Sequence, residues 1–153
     1  MSRWEPLLEV QEHDTPADQL AHRRRTLPAR AELDAVMAEL STLEGTAAEV
    51  DAERVELART QQRFEDEIAS LQAKAEQHDK ILYGGSVGNP RELQALQDEI
   101  AALKRRISHL EDQELEVMEE IEPVDGRLAE LTRRRTELDE RATALRAEIA
   151  EAE

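Results

Sequence analysis

The chain has 153 residues, 37% of them charged and only 2% aromatic, with a formal net charge of -16. One Trp, one Tyr and one Phe are too little bulky apolar material for a compact globular core, and a chain dominated by Ala, Glu, Leu and Arg reads as long helix or coiled coil whose core is a thin seam. The charge excludes nucleic acid from most of the surface, because phosphate binding needs clustered Lys and Arg that outweigh nearby carboxylates.

The first residues, Arg3, Trp4, Glu5 and Pro6, lack the basic and apolar regions of a signal peptide. Within Trp4 to Arg25, Leu7, Leu8, Ala17, Leu20 and Ala21 form a loosely apolar face, and Thr15-Pro16 kinks or restarts the helix. The connection Thr26-Leu27-Pro28 is expected to end it and to let Pro28 open the next helix. Residues 1–27 are therefore expected to form a short N-terminal helix packed at the base of two longer helices.

From Leu33 a 3-4 spacing runs through Val36, Leu40, Leu43, Ala47, Val50, Arg54, Leu57, Gln61, Phe64, Ile68, Leu71, Ala75, His78 and Leu82, which predicts one long helix over 28–83. Gly84, Gly85, Gly88 and Pro90 then interrupt it, so a tip loop is expected over 84–89. Asn89 suits the N-cap, Pro90 the first helical position and Glu92 the third, a capping box for a helix over 90–152. There the spacing resumes at Leu93, Leu96, Ile100, Leu103, Ile107 and Leu110. It continues through Glu114, Val117, Ile121, Val124, Leu128, Leu131, Arg135, Leu138, Ala142, Leu145 and Ile149.

Two long helices joined by so short a loop fold back on each other. The fold class is thus all-α: a long antiparallel two-helix coiled-coil hairpin with a short N-terminal helix at its base. If the loop is the turning point, Leu71 faces Leu103 and Leu57 faces Val117. Gln61 then meets Glu114, and the two polar seam residues form one register-setting layer. Pro123, Gly126 and Gly45 are weak points expected at one height of the rod, and together they suggest a hinge where a three-helix base gives way to a two-helix arm.

The residues offer little for chemistry. Cysteine is absent, so there is no disulfide or thiolate metal site. His13, His22, His78 and His109 are never spaced to put two ligands on one helix face, and His78, a seam position opposite Leu96, reads as a packed histidine. The carboxylates from Glu111 to Glu122 spread around a helix as a solvated face does. The glycine loop follows a helix rather than a strand and lacks the Gly-Lys-Ser or Gly-Lys-Thr ending of a phosphate loop. Three basic clusters remain: Arg23-Arg24-Arg25, Lys104-Arg105-Arg106 and Arg133-Arg134-Arg135. The first and third are expected together at the base, with Arg135 reaching Asp14 or Asp18. Surface ion pairs are the simplest account of them, and a local site for RNA, DNA or an acidic partner is the other.

The stretch from Leu82 to Glu122, with Tyr83-Gly84-Gly85 and Asn89-Pro90-Arg91-Glu92-Leu93 at its start, resembles a bacterial family in which a coiled-coil hairpin precedes a C-terminal zinc ribbon. Leu20 to Pro28 is similar to its actinobacterial members. That family was long filed as a domain of unknown function and is described as predicted nucleic-acid binding. The resemblance implies zinc only in the ribbon. This chain reaches Glu153 without the paired CxxC motifs, whether as part of a longer protein or as a member without a ribbon, so no residue here is assigned to metal. Some members are linked with transcription or flagellar regulation through protein partners.

Together these readings predict a non-enzymatic, cytoplasmic interaction module without cofactor, a monomer or weak dimer that does not enter membranes. It would bind protein partners through its flanks and through a tip of Tyr83, Gly84, Gly85, Asn89, Pro90 and Arg91. Direct nucleic-acid binding through Arg23, Arg24, Arg25, Arg133 and Arg134 is the alternative, disfavoured by the net charge.

Overall fold

The computed structural model describes residues 5–85 and 87–152, with side chains from residue 16 onward. It consists of two helices, α1 (Glu5–Tyr83) and α2 (Pro90–Ala152), joined through the tip. The helices are antiparallel in each of two compact units. In the unit of Met1–Ala48 and Ala129–Glu153, Glu32 meets Arg141 and Glu39 meets Arg134, so the numbering rises on one helix as it falls on the other. In the unit of Glu49–Leu128, Arg54 meets Asp125 and Glu67 meets Arg106 in the same sense.

The core is the seam that the 3-4 spacing marks. Every predicted seam position is sheltered except Arg135, which is exposed. In the first unit Ala29, Val36, Leu40 and Leu43 pack with Leu138, Ala142 and Leu145, flanked by Leu33, Leu131 and Ile149. In the second, Ile68 packs with Ile107 and Leu110, flanked by Phe64 and Leu71. Each fully buried Leu or Ile contributes about 1.5–3 kcal/mol, so one stripe holds each helix pair without a wider core.

No separate N-terminal helix forms. α1 runs unbroken through Pro16 and Pro28, and the expectation of a third helix at the base is corrected. The reason lies in the seam, which extends upstream of Leu33 through Ala29 and Thr26 to His22 at the same spacing. Thr26 is only 2% exposed, and its hydroxyl donates to the His22 carbonyl at 3.0 Å. Pro28 lies on the exposed side, as does Arg24, whose carbonyl loses its usual donor, so water can replace the missing bond. Breaking the helix would spare the proline cost of about 3 kcal/mol but would remove Thr26 and His22 from the seam. Leu7, Leu8, His13 and Asp14 have side chains outside the described residues.

At the tip the backbone follows the loop's composition. Gly85 takes φ +70°, the left-handed conformation that ends a helix and that a side chain resists. A Cβ on Gly84 would stand 2.8 Å from the Lys80 carbonyl oxygen, which is backbone and cannot turn aside. Asn89 caps α2: its Oδ1 accepts the Arg91 N–H at 2.9 Å, and its carbonyl accepts the Leu93 N–H at 3.1 Å. The reciprocal bond from Glu92 is not formed, so only half of the expected capping box exists.

The glycines inside the helices are different, since a Cβ on Gly45 or Gly126 meets nothing within 4 Å. Gly45→Ala and Gly126→Ala should each stabilise the fold by about 1 kcal/mol, raising Tm by roughly 3 °C. Gly85→Ala should destabilise it by about 1–2 kcal/mol. Thermal melts followed by circular dichroism check both signs.

Candidate functional site

The tip is built from the end of α1 and the start of α2. Tyr83, the last residue of α1, is 83% exposed, beside the turn that Gly84 and Gly85 make. Asn89, Pro90 and Arg91 are exposed at the start of α2, with Asn89 held by its cap bonds. Val87 is half-buried, and Ser86 lies outside the described residues.

The predicted polar layer has a third member that the seam pattern does not reveal. Gln61 donates through Nε2 to Glu65 Oε1 at 3.3 Å, and the Glu114 carboxyl lies near enough to both for each to shift it. Glu114 is half-buried, and its carboxyl is pushed above the ordinary 4.5, first by desolvation and then by the Glu65 carboxylate against it; the Gln61 bond opposes the shift. Glu65 lies one turn beyond Gln61 on α1, so a search for polar residues on the seam alone passes over it.

His78 sits in the seam with neither ring nitrogen hydrogen-bonded, and Glu99 Oε2 lies 3.7 Å from Nε2. His22 has a role that sequence reasoning missed: its Nδ1–H donates to the Ala152 carbonyl, satisfying an acceptor in the last turn of α2. The signal was available, since His22 continues the 3-4 spacing upstream of Thr26. Among the described residues no group of three or more His, Asp or Glu is placed to hold a metal ion.

The basic clusters separate rather than combine. Arg133 pairs with Glu130 at 2.9 Å, and Arg134 with Glu39 at 2.7 Å and Glu137 at 3.2 Å. Arg135 pairs with Glu44 at 3.4 Å and Asp139 at 3.9 Å, not with Asp18; its stem lies outside the seam. Arg106 pairs with Glu67, while Arg23, Arg24 and Arg25 are exposed and make no ion pair among the described residues. Arg134 stands opposite Glu39, fifteen residues along α1 from Arg24, which is roughly 22 Å at 1.5 Å per residue. The first and third clusters therefore do not form one basic patch.

Gly45 lies inside α1, and Pro123 and Gly126 inside α2, with both helices unbroken across them. Without a third helix, the expected change from three helices to two at that height falls away. Pro123 and Glu119 are both exposed, so the carbonyl that Pro123 leaves without a donor faces water.

Residues 10–153 match the CT398-like coiled coil hairpin domain. The chain belongs to that family. Two curated relatives are uncharacterized proteins of Mycobacterium tuberculosis, from strains CDC 1551 / Oshkosh and ATCC 25618 / H37Rv. Each is 32% identical over 147 residues, covering 96% of this chain and 57% of the relative, so the hairpin spans little more than half of their length. No solved structure matches it. Among the described residues no helix is long and apolar enough to cross a membrane.

The Glu114 layer has a pH signature. A folded-state value raised above 4.5 means that the folded chain binds the extra proton, so charged Glu114 costs stability at neutral pH. That cost is relieved as pH falls through the raised value and is gone below 4.5. Glu32 has the opposite sign: the hydrogen bonds from Arg141, 2.7 Å to each oxygen, hold its carboxyl down, and its contribution is lost on acidification. Glu114→Gln should raise Tm at neutral pH, with the gap from wild type closing as pH approaches 4.5. Glu32→Gln should lower Tm most at neutral pH. Melts over a pH series would refute the layer if Glu114→Gln were neutral or destabilising throughout.

Proposed function

We propose that the chain is a non-enzymatic interaction module, the coiled-coil hairpin of a zinc-ribbon regulator or adaptor that binds protein partners through its tip and flanks. The observation that carries this reading is Tyr83, a large aromatic 83% exposed beside a turn whose shape Gly84, Gly85 and Asn89 impose. An aromatic exposed beside a turn adds nothing to the seam, whereas exposed Tyr suits partner contact. The module would work in the cytoplasm as a monomer or weak dimer without a cofactor of its own. Zinc and any contact made by a ribbon would belong to the remainder of a longer protein, in keeping with relatives that extend well past the matched length.

A local nucleic-acid contact is the second reading, favoured by Arg23, Arg24 and Arg25, which are exposed and make no ion pair among the described residues. With Arg133 and Arg134 engaged by carboxylates, three of the five candidate arginines remain for it, so such binding would be weak and only modestly salt-dependent, because the salt slope scales with the number of phosphates neutralised.

Tyr83→Ala should reduce recovery of a partner about tenfold in quantitative pull-downs with little change in helicity. Asn89→Gly, which keeps most of the cap energy, should reduce it less. Unchanged recovery from both variants would remove the tip as the contact. Loss of an RNA or DNA mobility shift in Arg23→Ser/Arg24→Ser/Arg25→Ser, with partner recovery intact, would favour the second reading.

A further inference from the structure

Leu115 and Met118 are large apolar side chains, 55% and 46% exposed, on the outer side of α2. The seam here is Glu114, Val117 and Ile121, so neither residue is needed to hold the two helices together. Three residues apart, they face the same way and open into a shallow groove of about 440 Å³. Ile121 lines the groove beside them, and Gln61, Glu119, Glu122 and Asp125 complete it. Neighbouring exposed apolar residues on an otherwise charged helix face are where a contact can form.

The charge around the groove narrows what could fill it. Between Arg106 and Arg127 α2 carries eight carboxylates and no Lys or Arg. Arg54 engages Asp125 at 2.6 Å, but Glu119 and Glu122 are exposed and make no ion pair among the described residues. Unneutralised carboxylates within a Debye length of one another sum to a negative field over the groove. A second copy of this chain, a nucleic acid or an anionic lipid surface would bring like charge against it. A neutral apolar segment would bury carboxylates without partners.

We propose that the groove of Leu115, Met118 and Ile121 docks a basic amphipathic helix of a partner protein, its apolar face on these residues and its Lys or Arg against Glu119 and Glu122. A third helix can lie along the valley between two paired ones by ridges-into-grooves packing, and Met adapts its shape to different apolar faces. This rests on the chain's being an interaction module, and it names a flank and the partner chemistry that flank takes.

The probe is a labelled Leu/Lys peptide of about 18 residues, five helical turns, with Leu on one face. A scrambled peptide of the same composition and a Leu/Glu counterpart are the controls. Fluorescence anisotropy with the full chain should show binding of the Leu/Lys helix, weaker binding of the scrambled peptide and none of the Leu/Glu one. Leu115→Ser/Met118→Ser should weaken it by about tenfold or more. Glu119→Gln/Glu122→Gln should weaken it and flatten its salt dependence. These positions are exposed, and circular dichroism confirms that the variants fold.

Equal binding to Leu115→Ser/Met118→Ser, or equal binding of the scrambled peptide, would reduce the effect to charge alone and overturn the proposal. So would absence of binding. Sedimentation showing a wild-type dimer that Leu115→Ser/Met118→Ser dissolves would make the groove a self-contact and overturn it as well. Parallel pull-downs separate the two levels: failure of the peptide with Tyr83-dependent capture retained sinks the groove alone. Capture insensitive to both Tyr83→Ala and the groove variants sinks the interaction module itself.

Discussion

The apolar seam, one buried side chain every three or four residues on each helix, is the constraint on which the other features depend. It sets where α1 can run, because Thr26 and Ala29 carry the spacing past Pro28 and hold the helix through a residue that would otherwise end it. It also sets which residues meet, because each layer of one helix has one partner layer on the other. The packing is narrow but dense at its centres, with Leu110 and Leu145 almost wholly enclosed. In a core this thin, every residue beside the seam is already at the surface.

The ion pairs that line the seam depend on it in turn. Arg141 with Glu32, Arg134 with Glu39 and Arg106 with Glu67 are roughly half exposed, and pairs of that kind are worth about 0–1 kcal/mol each. A buried leucine outweighs several of them. Their effect is on register: sliding one helix by a turn would separate all of these pairs at once and place Glu114 against an apolar neighbour. Glu114, whose carboxyl resists ionisation beside Gln61 and Glu65, costs stability when charged, and such a polar layer would add to this specificity.

The hairpin was legible because its signals are periodic and long. The sheltered positions follow the 3-4 spacing from Leu33 to Leu82 and from Leu93 to Ile149, with Arg135 the exception, because its guanidinium has Glu44 and Asp139 within reach outside the seam. The tip was legible because Gly85 and Asn89 are residue types whose chemistry is tied to helix ends. The N-terminal segment was misread because Pro28 was weighed locally, while the spacing that overrides it runs through Thr26 and Ala29, small residues that carry little hydrophobic signal. Glu65 was missed for a related reason: it joins the polar layer from one turn away. The ion-pair partners of Arg133, Arg134 and Arg135 could not be chosen from sequence, since carboxylates surround every arginine of such a chain. Charge clusters that look alike in sequence, Arg23-Arg24-Arg25 and Arg133-Arg134-Arg135, differ in the carboxylates that their own helix and the opposite one place beside them.

That difference bears on where such a hairpin can make contacts. A coiled coil uses its best apolar residues on itself, so side chains that are large, apolar and outside the seam are the ones available to something else. In the loop-bearing unit these include Tyr83 at the tip and Leu115 with Met118 on the flank of α2. They differ in surroundings: Tyr83 stands beside a glycine turn without carboxylates and near the exposed Arg91, while Leu115 and Met118 stand beside Glu119 and Glu122, which are exposed and make no ion pair among the described residues. A contact of the first kind would depend on the shape of the turn and on the Arg91 cation. One of the second kind selects by charge before contact, since a negative field accelerates the approach of basic segments and turns acidic ones away. Were both to serve as contacts, a partner that satisfied the two would be held more tightly than one that satisfied either, without any new feature in the seam.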